Sequence, residues 1–311
     1  MKTYEQCLKC FERQAADACA MAALAADDTD RLLAAVREKI VSFPRNHCPV
    51  EMAVEIHKLV RSISGIDDPY RAVKRISNNI CRSCLPMLSD YMALASDPMA
   101  TAVSLAIAGN IIDYGACSTA PSSQSALARI INDTLAQPIV GSPLSQFKAV
   151  VAEAKTILFI GDNAGECFFD RSLLKQLPHE KVTYAVRGGP ILNDATRWDA
   201  ATAGIDQICP LIDTGDRTPG VILERCSEEF RTTFEKSDLV IAKGQGNYES
   251  LGGRQDRTYV FITKVKCAVI ARDIGYPEGS NVLQIAPVHA PRATNTSKRT
   301  TQTKTMEVSY A

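Results

Sequence analysis

The run Gly161-Asp162-Asn163-Ala164-Gly165-Glu166 places two carboxylates and a carboxamide in one short turn, directly after the apolar stretch Thr156-Ile157-Leu158-Phe159-Ile160. Oxygen-bearing side chains at the end of a buried strand suit a hard divalent cation, and the flanking glycines allow close backbone approach. A helix opening near Glu166 would turn its N–H groups to the same space, which favours an anion. Two further stretches have the same character. Arg187-Gly188-Gly189-Pro190-Ile191-Leu192-Asn193-Asp194-Ala195-Thr196 carries a second acid, and Lys243-Gly244-Gln245-Gly246-Asn247-Tyr248 carries a cation and an amide. Lys264-Val265-Lys266-Cys267 adds two more cations. If the stretches converge, Asp162, Asn163 and Asp194 form an oxygen-only donor set of the kind that selects Mg²⁺ or Mn²⁺, with lysines at hand for phosphate. Singly, each has a plain structural alternative, because Asp162 and Asp194 are also good helix caps and Lys-Gly is a common turn. Their recurrence at several strand ends makes the chemical reading worth pursuing.

Such residues need a frame that gathers strand ends. From about residue 155 short apolar runs occur at 156–161, 181–186, 239–242, 259–263 and 268–270, with helical stretches at about 166–177, 193–203 and 221–235. Strands alternating with helices predict an α/β, Rossmann-like, mostly parallel sheet with helices on both faces, and ligands in such sheets lie beyond the carboxyl ends of the strands. Residues 1–150 read differently, as an all-α region. Tyr4, Cys7, Phe11, Ala15 and Ala18 make one helical stripe, and Leu32, Leu33, Val36 and Ile40 a second. Pro49 opens a third helix, and Asp68-Pro69 and Asp97-Pro98 each read as a cap followed by a first-turn proline. The expected organisation is a helical region at 1–150, an α/β region with the site at 151–286, and a polar, solvated tail at 287–311.

The 311 residues include 35 Lys+Arg and 35 Asp+Glu, with 46% hydrophobic residues. This composition excludes general disorder, and the balanced charge argues against a nucleic-acid partner. No run is apolar and long enough to span a membrane, and the first residues lack the apolar core of a secretory signal. With eleven cysteines, these features point to reduced thiols in a cytoplasmic protein.

These stretches, taken with Cys7-Leu8-Lys9-Cys10-Phe11, Asp68-Pro69-Tyr70 and Ala108-Gly109-Asn110-Ile111-Ile112-Asp113, resemble the DUF89 family of damage-control phosphatases, with the ARMT1-like fold, and its prokaryotic branch in particular. The likeness covers roughly residues 1–275. It implies a metal-dependent phosphatase acting on phosphorylated metabolites such as sugar phosphates, with Mn²⁺, Mg²⁺, Ni²⁺ or Co²⁺ as cofactor. By motif, Asp162, Asn163 and Asp194 would hold the metal and Lys266 the phosphate. Asn110 and Asp113 would reach the cleft from the helical half, and Lys243, Asn247 and Arg187 would meet the substrate. The family's eukaryotic branch has an Arg-Thr-x-Lys motif where this chain has Thr263-Lys264-Val265-Lys266, so Lys264 competes with Lys266. A metal-bound water, oriented by Asp113 or Glu166, would attack phosphorus; direct attack by Asp162 is the alternative.

Two other readings fit parts of the chain. An S-adenosylmethionine-dependent carboxyl methyltransferase would use the glycine-flanked acidic turn, although Tyr184, Val186 and Arg187 stand where a ribose-binding acid belongs. A non-catalytic metal-binding module would use Cys7, Cys10, Cys81 and Cys84, with a structural Zn²⁺ at Cys7 and Cys10 or shared by all four. On helices such pairs are also ordinary packing. Cys167 and the Met/Ala stripe at 92–108 read as packing residues, Trp198 as core or cleft wall, and His47 and His57 as surface or cap residues. The oligomeric state stays open.

Overall fold

A computed structural model describes residues 1–111 and 124–286. Asp113 and the polar tail at 287–311 lie outside the described residues. The helical half comprises α1 (Glu5–Met21), α2 (Ala26–Ser42), α3 (Pro49–Ser64), α4 (Arg71–Ser83), α5 (Leu85–Ala93), α6 (Pro98–Ile111) and α7 (Gln124–Ala136). The first three pack through the stripes read from the sequence, with Phe11, Ala15, Leu32, Val36, Met52 and Ile56 in their shared core. Helix α3 begins at Pro49, and Glu51 Oε1 accepts a hydrogen bond from Cys48 N at 3.0 Å. Helix α6 begins at Pro98, where Asp97 Oδ1 accepts from Met99 N and Ala100 N at 3.1 and 3.2 Å. The Asp68-Pro69 device sits two residues early, since α4 starts at Arg71 while Asp68 accepts from Tyr70 N and pairs with Lys74.

The second half alternates β1 (Ile139–Gly141), α8 (Leu144–Glu153), β2 (Ile157–Ile160), α9 (Cys167–Leu174), β3 (Val182–Val186), α10 (Arg197–Thr202) and β4 (Leu211–Asp213). It continues with α11 (Glu228–Lys236), β5 (Leu239–Lys243), α12 (Gly244–Leu251), β6 (Thr258–Lys264), α13 (Ala268–Ile274) and β7 (Asn281–Ala286). These strands form a seven-stranded sheet in the order β1-β7-β6-β5-β2-β3-β4, parallel except between β6 and β7. Alternate residues serve opposite faces, as a period of two demands. Ile157, Phe159, Leu239 and Ile241 join the core under α6 and α9, while Leu158, Ile160, Val240 and Ala242 join the core on the other side with Phe230 and Phe234 of α11. Ala102, Val103 and Leu105 to Ala108 of α6 are buried, which accounts for a helix apolar all round.

Several local readings needed correction. The run at 268–270 is helix, not strand: Val269 and Ile270 are the buried side of α13, which ends at Gly275 with φ 85°. The strand lies further on, at Asn281–Ala286. Strands β1 and β4, three residues each, carry no readable period, and β1 lies within the stretch read as all helical. The helix expected from 193 starts at Arg197, capped by Thr196 and Asp199, so Asp194 stands in a turn ahead of it. Among the described residues no helix is long and apolar enough to cross a membrane.

Candidate functional site

From β2 the chain moves outward through β3 and β4, then returns to the other flank of β2 as β5. The turns after β2 and β5 therefore meet at a topological switch point, where open α/β sheets leave a crevice. Asp162 and Asn163 emerge there. The turn that carries Asp194 is tied to them through the backbone: Asn163 and Asp194 form an antiparallel bridge, Ala195 N donates to Asp162 O at 2.7 Å, and Ala164 N donates to Asn193 O at 3.0 Å. Arg187, from the end of β3, then holds both acids. Its Nε donates to Asp194 Oδ2 at 2.7 Å, and its Nη2 lies 3.5 Å from Asp162 Oδ1. Its Nη1 donates to Asn247 Oδ1 at 3.0 Å, while Asn247 Nδ2 donates to the carbonyls of Gly161 and Lys243 at 3.1 and 2.7 Å. Arg187 and Asn247 thus fasten three strand ends together.

Behind this pair lies a fully buried polar layer. Asn110 Nδ2 and Asn163 Nδ2 each donate to both Asp162 Oδ2 and Glu166 Oε2, at distances between 2.9 and 3.1 Å. With its Nδ2 so committed, Asn163 keeps its Oδ1 as the remaining acceptor. Lys243 Nζ pairs with Glu166 Oε1 and donates to Asp170 Oδ1 at 2.6 Å and to Ala106 O at 3.0 Å. Asp170 Oδ2 in turn accepts from Tyr184 Oη at 2.7 Å.

The electrostatics of this arrangement are unbalanced. Asp162, Glu166, Asp170 and Asp194 are packed around two fully buried cations, Arg187 and Lys243. Burial, and then the charges of Glu166 and Asp194, raise the Asp162 carboxyl well above the usual range against the pull of Arg187 and Lys266. Burial also lifts Asp170 to about 6, although Lys243 opposes it. A group of buried carboxylates in excess over their cations is a setting that one further positive charge relieves.

A cavity of about 450 Å³ opens over the front of this group, lined by Asp162, Asn163, Asp194 and Lys266 together with Cys7 and Cys10 of α1. Lys266 lies just past the end of β6 and close enough to lower the pKa of Asp162. Lys264 instead donates to Gln137 and Asn281, both at 3.2 Å. The oxygen donors facing the cavity, two aspartates and an asparagine, suit Mg²⁺ or Mn²⁺ by their chemistry. Among the described residues no group of three or more His, Cys, Asp or Glu is arranged to hold a metal ion, so a donor set at this cavity draws on other oxygens beside the two aspartates, of which Asn163 Oδ1 is one.

Other expected residues stand elsewhere. Lys243, Asn247, Asn110 and Glu166 do not line the cavity: all four are at 0% exposure. Lys243 shares a strand face with the buried Leu239 and Ile241, and Glu166 is neutralised by it, so neither is a free phosphate ligand or a solvent-facing base. Arg187 also sits behind the acids, at 1% exposure, in the place a ribose-binding carboxylate would need. Cys81 and Cys84 are buried in the core beneath α6, whereas Cys7 and Cys10 border the cavity, so the four do not form one tetrahedral site. Cys167 packs in the core, as read, but His57 is buried rather than at the surface. Trp198 is 54% exposed, on the wall of a second cavity. Asp170 and Tyr184 were missed as parts of the site. The spacing of Asp170 from Glu166, one helical turn on the same face, was the available signal.

Known proteins share this architecture. A family model described as the damage-control phosphatase ARMT1-like domain matches residues 3–282. An uncharacterized protein of Methanocaldococcus jannaschii is 36% identical, over 91% of this chain and 95% of its own. A damage-control phosphatase of Archaeoglobus fulgidus is 33% identical, over 85% of this chain and 93% of its own. The crystal structure of a DUF89 family protein from Pyrococcus horikoshii superposes with a TM-score of 0.83 at 31% identity, covering 91% of this chain and 99% of that one.

Proposed function

The chain belongs to the ARMT1-like damage-control phosphatase family, and from that premise we propose that it is a divalent-metal-dependent phosphatase that hydrolyses phosphate monoesters of small metabolites, of the sugar-phosphate or damaged-metabolite kind. The observation that carries this reading is the convergence of Asp162 and Asp194 on one guanidinium beside a cavity that also holds Asn163 and Lys266. Asp162, Asn163 and Asp194 are the residues that would hold Mg²⁺, Mn²⁺, Ni²⁺ or Co²⁺. Such an ion, when bound, supplies charge neutralisation at the phosphoryl oxygens and a water of lowered pKa.

The chain's own residues do the positioning. Arg187 sets the orientations of Asp162 and Asp194, and the Asn110 and Asn163 amides fix the other edge of the Asp162 carboxylate. Lys243 holds Glu166 in place, and Glu166 holds Asn163. Lys266 binds the phosphoryl oxygens by charge-assisted hydrogen bonds and stabilises the charge that builds on them in the transition state. The hydrolytic step joins a water oxygen to phosphorus, breaks the ester P–O bond and leaves a proton on the alcohol. Water rather than Asp162 is the favoured nucleophile, because the Asp162 Oδ2 already accepts two amide hydrogen bonds and Oδ1 faces Arg187.

The test is phosphate release from a panel of monoesters, with chelator-treated protein and Mg²⁺, Mn²⁺, Ni²⁺ or Co²⁺ added singly. Release that needs a divalent ion is the expected result. Equal release in chelator would remove the metal from the reading, and no release from any ester with any ion would remove the phosphatase.

A further inference from the structure

A second cavity, of about 380 Å³, lies between the start of α4 and the segment joining β3 to α10, and it shares no lining residue with the first. Its charge pattern is unusual. The N-terminal end of a helix already carries the positive end of the macrodipole and is normally dressed with acids. The first turns of α4 carry Arg71, Lys74 and Arg75 with no acidic residue among them; the one acid at this end, Asp68, accepts from Tyr70 N at 3.2 Å and, through its carbonyl, from Arg71 N at 3.3 Å. Arg187 and Arg197 line the same cavity.

The acids present offset this group only in part. Asp68 is matched by Lys74 at 2.9 Å in a buried pair, and Asp213 is matched by Arg197. Asp199 accepts hydrogen bonds from the neutral donors Asn78 Nδ2 at 2.8 Å and Thr196 N at 2.9 Å and keeps its charge, and Asp67, paired with Arg217, is also drawn on by Arg71. None of the described acids is in direct contact with Arg71 or Arg75. Among the described residues neither guanidinium has an ion pair, and the Arg75 guanidinium carbon lies 5.8 Å from the centre of the Trp198 ring. Trp198 is the largest apolar side chain on this wall and is more than half exposed. Like charges gathered at a positive helix end, beside an exposed indole, are a favourable arrangement once an anion with a flat ring is present.

We propose that this cavity binds a nucleoside mono- or diphosphate, its phosphate held by Arg71, Arg75 and the N–H groups of Ala72 and Val73 in the first turn of α4, and its base stacked on Trp198. The volume lies within the usual range of small-molecule sites, roughly 300–1,000 Å³. The site is separate from the catalytic cavity but stands against it. Arg187 forms part of its wall while bonding to Asp194 and approaching Asp162.

Trp198 is the only tryptophan of the chain, so emission excited beyond the tyrosine absorption band reports on this cavity. Titration of the full chain with AMP or ADP is expected to change the emission saturably. Arg71→Ala and Arg75→Ala should each weaken binding about tenfold, as loss of one charge-assisted contact does. Lys266→Ala, whose residue lines the other cavity alone, should leave the affinity within about twofold. Inorganic phosphate and adenosine, titrated separately, should both bind more weakly than AMP. The proposal is overturned by the absence of a saturable change with either nucleotide, by binding that Lys266→Ala abolishes or that Arg71→Ala and Arg75→Ala do not alter, or by inorganic phosphate binding as tightly as AMP.

Discussion

The backbone of Gly244 lies against the carboxylate of Asp162 so closely that a Cβ on Gly244 would stand 1.9 Å from Asp162 Oδ2. Gly244 also has φ 76°, a conformation that L side chains rarely adopt. The first residue of α12 thus sets the floor beneath the first acid of the site. Gly244→Ala is expected to destabilise the protein by about 3 kcal/mol or more, combining backbone strain with a steric clash. Any folded fraction should bind the activating ion more weakly, because Asp162 must move. Chemical denaturation and an ion titration check this; a stable variant with unchanged ion affinity would show that Asp162 does not need its present position.

Replacing Asp162 by Asn removes a charge from a buried group that already repels it. The expected result is a loss of phosphatase turnover of at least about 10³-fold. Melting in chelator should stay close to the parent's, because relief of that repulsion is set against an amide NH2 turned onto the donors of Arg187 or of Asn110 and Asn163. Adding Mn²⁺ should raise the parent's melting temperature, as binding to the native state requires, and leave that of Asp162→Asn unchanged. Differential scanning fluorimetry with and without the ion separates loss of chemistry from loss of fold.

Lys266 and Lys264 are separated by one residue but face different partners. Lys266→Ala is expected to raise KM for a phosphate ester about tenfold or more, the usual effect of losing a charged hydrogen bond to substrate. Lys264→Ala should leave KM unchanged and alter only stability. Steady-state kinetics on both variants decides the matter, and the reverse pattern would reassign the phosphate contact.

The ion pairs of Lys243 with Glu166 and Asp170 are fully buried. Lys243→Met leaves two carboxylates facing each other without a cation, and the expected loss of stability is about 3–5 kcal/mol. The triple variant with Glu166→Gln and Asp170→Asn removes the orphaned charges and should recover part of that loss. A simple phosphate ligand at this position would predict normal folding of Lys243→Met, so urea denaturation discriminates between the two.

Burial, helped by the nearby charge of Arg61, pushes the His57 imidazole from 6.5 down to about 3. Its folded pKa is therefore below its unfolded one. The neutral ring contributes stability that is complete above about pH 6.5 and declines as pH falls toward 3, by up to about 1.4 kcal/mol per pH unit. His57→Phe, which keeps a ring beside Tyr70, should flatten that part of the stability–pH curve. Because Asp170, lifted to about 6, contributes the opposite slope over the same range, the check is the difference between the two curves: a parent-minus-variant difference that does not change between pH 6 and 4 would contradict the buried neutral state.

The chain's residue order alone settled much of this. Apolar stripes at helical spacing in the stretch up to about residue 108, then short apolar runs ending in glycine and acid, determined a helical half and a parallel sheet, because burial periodicity is a local property. The oxygen-rich turn at 162–163 and the acid at 194 were likewise visible as chemistry at strand ends. The direction of each side chain was not visible. Lys243 follows a strand just as a phosphate ligand would, yet its parity with Leu239 and Ile241 turns it into the core, and parity has meaning only once the buried face is known. Lys266, two residues beyond the end of β6, escapes that constraint and reaches the cavity. Strands of three residues and the short helix at 268–274 are set by neighbours distant in the chain, and local propensity cannot register them.

Tertiary structure alone decided that β5 returns beside β2. That single choice of strand order brings Gly244 under Asp162, and a bridge between two loops brings Asp194 alongside Asn163. Residue types are carried by the chain itself, but a shared field between buried charges exists only after distant segments have been packed to within hydrogen-bonding reach.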